Sequence, residues 1–192
     1  MRYFPILFLF LVLTTASVCA QSTSIAAQNT IVPPASENMV STAGIGPFKL
    51  GMTVSAVEKI LHSPLKLSRD AKDKNSYEPD SASAKYKGTD INMVFGLNTT
   101  ATDTVPALHI YSIQSNSPQL KTRSGIAIGD DKMKIITTYT QYRLDIIPDY
   151  DKVLHPRKTD IYLYDINSGN QLIFHLYDNL VTGFEVTYSE GD

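Results

Sequence analysis

Apolar positions along this chain change their period twice over. Val54, Val57, Ile60 and Leu61 recur at helical spacing, and so do Met133, Ile135, Ile136 and Tyr139 later on. Each set follows a short extended apolar piece that ends in a glycine: Phe48-Lys49-Leu50-Gly51-Met52-Thr53 and Ile126-Ala127-Ile128-Gly129-Asp130-Asp131. The glycine permits a tight turn, and Thr53 or Asp131 stands where an oxygen side chain caps a helix. After each helix the alternation becomes strand-like. Strands are predicted over 84–87, 91–95 and 108–113, and again over 161–166, 171–177 and 181–188. Gly88-Thr89-Asp90, Asn167-Ser168-Gly169-Asn170 and Asp178-Asn179 supply turns between them. The polar stretches 68–83 and 145–158 read as loops.

This internal repetition predicts an α+β fold of two tandem repeats, 44–118 and 119–192. Each repeat is expected to be a helix followed by an antiparallel three- to four-stranded meander, the two halves forming a continuous or closely abutting sheet with the helices packed on one face. Alternation then divides the side chains between faces. Ile161, Leu163, Leu172, Phe174, Leu176, Phe184 and Val186 point to a core, whereas Tyr162, Tyr164, Ile173, His175, Tyr177, Glu185 and Thr187 point away from it. The same logic sets Lys87, Asn92, His109 and Tyr111 on the outer side of the first repeat. Tyrosine joins a large rigid ring to a hydroxyl that tolerates water, which suits a contact surface. Tyr162, Tyr164, His175, Tyr177, Glu185, His109 and Tyr111 are therefore the candidate binding residues.

The N-terminus changes the expected setting. Arg2, the apolar run 4–13 and the small residues up to Ala20 read as a cleavable signal peptide over 1–20. The run is shorter than the roughly 20 apolar residues that span a bilayer, and no later segment is apolar enough to do so. Residues 21–43, rich in Ser, Ala, Thr and Asn around Pro33-Pro34, read as a flexible spacer. Export to the periplasm or outside the cell follows. Cys19 is the sole cysteine; its lipidation, giving an outer-membrane lipoprotein, is an alternative that Val18 fits poorly. Cleavage after Ala20 leaves no thiol for disulfide chemistry. Asn98-Thr99-Thr100 fits an N-glycosylation acceptor, while Asp80-Ser81-Ala82 and Asp103-Thr104-Val105 resemble O-glycosylation sites.

Charge and motif content exclude several functions. The chain carries 17 Lys and Arg against 19 Asp and Glu, which gives no electrostatic case for nucleic acid. The four histidines, His62, His109, His155 and His175, lack metal-ligand spacing, although His109 and His175 could meet on neighbouring strands. No nucleophile elbow, phosphate loop or dinucleotide fingerprint occurs, and Asp130, Asp131, Asp149 and Asp151 are carboxylates without partners in sequence. No cofactor, metal site or catalytic residue is expected.

Lys49-Leu50-Gly51-Met52-Thr53, with Val57, Leu61 and Pro64 downstream, resembles the start of the small outer-membrane-assembly lipoproteins. Those carry Gly-Met-Thr, a helix and Leu-Gly-x-Pro, whereas this chain has Leu61-His62-Ser63-Pro64. The tandem arrangement is similar to β-lactamase-inhibitory-protein-like domains, in which two helix-plus-sheet units pack side by side. That resemblance implies protein binding in the cell envelope and brings no catalytic residues. The expected function is an exported, non-catalytic module that binds a protein partner through its tyrosine-bearing sheet face. The alternatives are a lipid-tethered envelope assembly factor and, third, a carbohydrate-active hydrolase centred on His175 and Glu185. Oligomeric state is not legible.

Overall fold

A computed structural model describes residues 37–68, 80–98, 107–148 and 157–189, all within one compact unit that runs from Pro34 to Asp192. The segment expected to be a signal peptide, Cys19, most of the expected spacer, Asp149, Asp151, His155 and the candidate glycosylation positions 99–105 lie outside the described residues.

The chain builds a mostly β structure, which overturns the expected α+β pair of repeats. In order, the elements are β1 (Met39–Ser41), β2 (Gly44–Ile45), β3 (Phe48–Lys49), α1 (Val54–Leu61), β4 (Asp80–Tyr86), β5 (Thr89–Asn98), β6 (Ala107–Ser115), β7 (Lys121–Thr122), α2 (Lys132–Thr138), β8 (Leu144–Pro148), β9 (Lys158–Asp165), β10 (Asn170–Tyr177) and β11 (Leu180–Tyr188). Seven strands form one sheet in the order β4-β5-β6-β11-β10-β9-β8, and four short strands form a second in the order β3-β2-β1-β7. All neighbours in the large sheet are antiparallel, and β1 and β7 of the small sheet run parallel.

The physical reason for the correction is helix length. Helices of eight and seven residues are only about 10–12 Å long, whereas seven strands span roughly 30 Å. Two such helices cannot cover the sheet, and each contributes one fully buried side chain, Val57 from α1 and Ile135 from α2. The small sheet and its loops supply the rest of the covering layer through Val40, Ile45, Phe48, Leu120 and Ile126. Met39–Ser41, in the stretch expected to be spacer, is thus a core strand.

Two stretches read as loops also contribute strands. In β4, Asp80 and Ala82 are buried while Ser81 and Ser83 are exposed, an alternation hidden by small and polar side chains. In β8, Ile146 and Ile147 are adjacent and break the visible period, yet the strand pairs with β9 from Leu144↔Leu163 to Pro148↔Thr159. Large aromatics fill the centre: Phe174 and Phe184 are cross-strand partners whose rings meet edge to face at 5.8 Å. Each such ring removed from water contributes roughly 2–3 kcal/mol. Among the described residues no helix is long and apolar enough to cross a membrane.

The two glycine turns are built alike. Gly51 N–H donates to Ile110 O at 2.9 Å and Ile110 N–H to Met52 O at 2.8 Å; Gly129 N–H donates to Val181 O at 2.8 Å and Val181 N–H to Asp130 O at 2.9 Å. Each turn is thereby hooked to a strand of the large sheet, β6 in one case and β11 in the other. Thr53 and Asp131 then cap their helices by accepting from Ala56 N–H and Lys134 N–H. Both glycines have positive φ, +79° and +89°, so side chains that avoid this region are strained there. Gly51→Val and Gly129→Val should each destabilise the protein by about 1–2 kcal/mol in a urea titration. Equal midpoints for wild type and both variants would refute the strain. His62, where the lipoprotein pattern has glycine, closes α1 in the same left-handed region with φ +54°.

Candidate functional site

The large sheet packs the small sheet and helices on one face. Depressions on its opposite face are lined by the strands themselves and a few flanking residues. Pairing registers align the side chains of that face in rows. One row runs Asp145, Tyr162, Ile173, Glu185, Gln114, Asn92, Ser83, and the next runs Tyr164, Gln171, Thr187, Ser112.

At the centre is a chain of polar groups that crosses four strands. His175 Nδ1 lies 2.9 Å from Asp160 Oδ1, and its Nε2 lies 3.2 Å from Glu185 Oε2. The other oxygen of Glu185 accepts from Ser112 Oγ–H at 2.7 Å. Burial pushes the imidazole toward its neutral form, but hydrogen bonds and charge from Asp160 and Glu185 outweigh it and raise the pKa from 6.5 to about 9. The bond from His175 in turn holds the Glu185 carboxyl below the usual range, against the opposing effect of burial. At neutral pH His175 is therefore an imidazolium that donates from both nitrogens. With no lone pair to accept a proton, it is not poised as a general base. Ser112 bonds to the carboxylate and not to the imidazole, so no nucleophile and base are paired. The arrangement instead fixes two carboxylates and a cation in one rigid line.

The candidate residues separate into groups around this line. Tyr111, Tyr162, Tyr164 and Glu185 border a depression of about 470 Å³ that Arg143 and Gln171 also line. The rings of Tyr162 and Tyr164 stack at 6.4 Å, and the Arg143 guanidinium lies 4.5 Å above Tyr164. Burial raises the phenol pKa of both tyrosines, so each keeps its hydroxyl proton. Ile173 sits between Tyr162 and Glu185 and is only 6% exposed, although it lies on the face away from the core. Its burial by these neighbours makes the patch a small apolar centre with a polar surround.

His175 and Tyr177 border a second depression of similar volume, about 470 Å³, with Asn92, Gln114, Asp160 and Gly183. Tyr177 is 45% exposed and lies beneath the Arg157 guanidinium, which pairs with Asp178. His109 belongs to neither group. It pairs across from Gly96, hydrogen-bonds Ala107 O at 2.9 Å and lines a smaller depression with Tyr111 and Leu97. β11 separates β6 from β10, and the registers place His109 and His175 toward opposite ends of the sheet, so they do not meet. Lys87 also departs from expectation. It occupies a two-residue turn with Gly88, both at positive φ, and pairs with Glu37.

Asp160, Ser112, Gln171 and Arg143 were not singled out by sequence. Asp160 shares the parity of Tyr162 and was open to inference from alternation. Ser112 was not, because a one-residue bulge between Val94 and Phe95 shifts the register of β5 against β6.

Comparison of the chain with protein-family models, with curated proteins and with solved structures finds no match.

Proposed function

We propose that this chain is an exported binding module whose exposed sheet face holds a protein partner. The observation that supports it best is the grouping of Tyr111, Tyr162 and Tyr164 around buried Ile173, beside the fixed Asp160–His175–Glu185 line. Rings with two rotatable bonds lose little conformational entropy on contact, and a preformed charge line needs no reorganisation. Tyr111 and Tyr177 are 40% and 45% exposed, which leaves ring area to be covered by a partner. The apolar centre with a polar surround matches the composition of protein interfaces.

The test is affinity capture from envelope extract on the immobilised full chain, with the Tyr162, Tyr164 and Tyr177→Ala triple variant as control. A protein retained by the wild type and reduced at least about tenfold by the variant is the expected result, equivalent to roughly 1.4 kcal/mol or more of binding energy. Thermal melts of both proteins establish that the variant stays folded. Equal retention by a folded variant removes the tyrosine face from consideration.

A further inference from the structure

A separate groove lies where the small sheet and the end of α2 meet the β8–β9–β10 end of the large sheet. Its volume is about 530 Å³. Its floor is core: Val40, Tyr139, Leu163 and Leu172 all line it and are at most 6% exposed. Its walls carry Tyr142 and Ile166, 60% and 83% exposed, two of the most exposed large apolar side chains among the described residues. Tyr142 is held edge-on against Tyr139 at 5.7 Å, and Tyr139 is anchored by donating its hydroxyl to Thr122 Oγ1 at 3.0 Å. The wall is thus a fixed aromatic surface.

Charge selects what the groove would take. Arg123 and Arg143 line it together with one carboxylate, Asp165. Asp165 is already engaged: its oxygens accept from Thr42 Oγ1–H at 3.2 Å and from Asn167 N–H at 3.1 Å. Arg143 is paired with Asp145 at 3.4 Å and rests on the Tyr164 ring. Arg123 is exposed, and among the described residues no carboxylate pairs with it. A guanidinium beside an apolar floor favours a carboxylate attached to an apolar group. The remaining wall groups are hydroxyls and amides, from Ser41, Ser124, Gln141 and Asn167, which match the hydrogen-bonding groups of a peptide backbone. A lipid tail offers no hydrogen-bond partner to the exposed Ser124, Gln141 and Asn167 groups, while the Ser41 hydroxyl already donates to Gly44 O at 3.4 Å.

We infer that this groove docks an extended peptide segment of a partner protein in which a large apolar side chain is flanked by Asp or Glu. The apolar side chain covers Tyr142 and Ile166 above the Leu163 and Leu172 floor, and the carboxylate bonds Arg123. The groove shares Tyr164 and Arg143 with the tyrosine face, but the inference rests on Arg123, Tyr142 and Ile166, which lie outside that face, so variants at these positions test it separately from the tyrosine-face reading.

The experiment is selection of a random heptapeptide display library on the immobilised full chain. It is followed by fluorescence polarisation of a selected peptide on wild type, Arg123→Glu, Tyr142→Ala and Tyr177→Ala. Selected peptides should pair Asp or Glu with Leu, Ile, Phe or Tyr. Arg123→Glu and Tyr142→Ala should each weaken binding at least about tenfold, and Tyr177→Ala should leave it unchanged. Repeating the selection on Arg123→Glu should replace acidic residues with Lys or Arg. Arg123 is exposed, so loss of fold is not expected, and a melting curve checks it. No enrichment, enrichment without the acidic-apolar pairing, or identical selections on wild type and Arg123→Glu would overturn the inference. So would displacement of the peptide by laurate, or a wild-type dimer in sedimentation that Arg123→Glu dissociates, since either assigns the groove to another occupant.

Discussion

Raising the pH from about 6 to about 9.5 should lower the unfolding free energy of this protein by about 3 kcal/mol. His175 is the cause. Burial alone would favour its neutral form, yet the flanking Asp160 and Glu185 carboxylates hold the imidazolium so firmly that its pKa rises from 6.5 to about 9. Between those two values the native state binds a proton that the unfolded chain has released. The stabilisation is therefore fully present below about pH 6.5 and is lost as pH climbs through about 9. The rise of about 2.5 pKa units corresponds to roughly 3 kcal/mol at 1.36 kcal/mol per unit.

Glu185 acts in the opposite direction. Its carboxyl is held low mainly by the bond from His175, so its contribution is present above the ordinary glutamate range and disappears as pH falls through the depressed value. The two effects describe one shared interaction and do not add. They leave a stability plateau from about pH 4.5 to about pH 6.5. Tyr162 and Tyr164, both shifted upward by burial, affect stability only near the ordinary tyrosine range around pH 10, above the window used. Urea titrations at the two pH values measure the slope directly. His175→Gln should lose about 2–3 kcal/mol at the lower pH, where Asp160 and Glu185 are left facing a neutral amide, and little at the higher one. A wild-type protein equally stable at both would show that the line is not closed in solution.

Gly44→Ala should cost at least about 3 kcal/mol and separate the small sheet from the large one. Gly44 opens β2 with φ +154°, and a Cβ there would lie 2.0 Å from Phe48 O and 2.9 Å from Lys49 Cα. Both obstructions are backbone, held by the Gly44↔Lys49 and Ile45↔Phe48 pairs, so no side chain can swing aside. The only relief is to part β2 from β3. That movement pulls Ile45 and Phe48, both fully buried, out of the core layer over the large sheet. Gly129 provides the contrast, because a Cβ there meets nothing within 4 Å and the cost is conformational alone. Chemical denaturation of Gly44→Ala beside Gly129→Ala tests the distinction, since equal losses would mean that β2 and β3 tolerate the extra atom. Hydrogen exchange should show lost protection at Ile45 and Gly46 in the first variant. The Gly46 amide is bonded to Met39 O at 2.8 Å in the intact small sheet.

Local physics accounts for much of what this chain does. Glycine followed by an oxygen side chain starts both helices, because turn and cap are satisfied within a few residues, and Thr53 and Asp131 take that role. Alternation of period two orders β9, β10 and β11 and divides Ile161, Leu163, Leu172, Phe174 and Phe184 from Tyr162, Tyr164, His175 and Glu185, since successive side chains on a strand must point to opposite faces. Long-range pairing is a different matter, because its cost and reward depend on segments far apart in sequence. The two expected meanders do join, through Phe184↔Ser115 and Thr187↔Ser112 between β6 and β11, and β8 adds a seventh strand at the far edge. Helices of eight and seven residues could not cover that width, so the core drew on β1, β2, β3 and β7. Register likewise set Asp160, His175, Glu185 and Ser112 side by side from four strands, and it separated His109 from His175. Turns, caps and most outward-facing positions follow from local residue pattern. Which outward residues become neighbours does not, because neighbourhood across strands is set by register, and register is a property of the whole sheet.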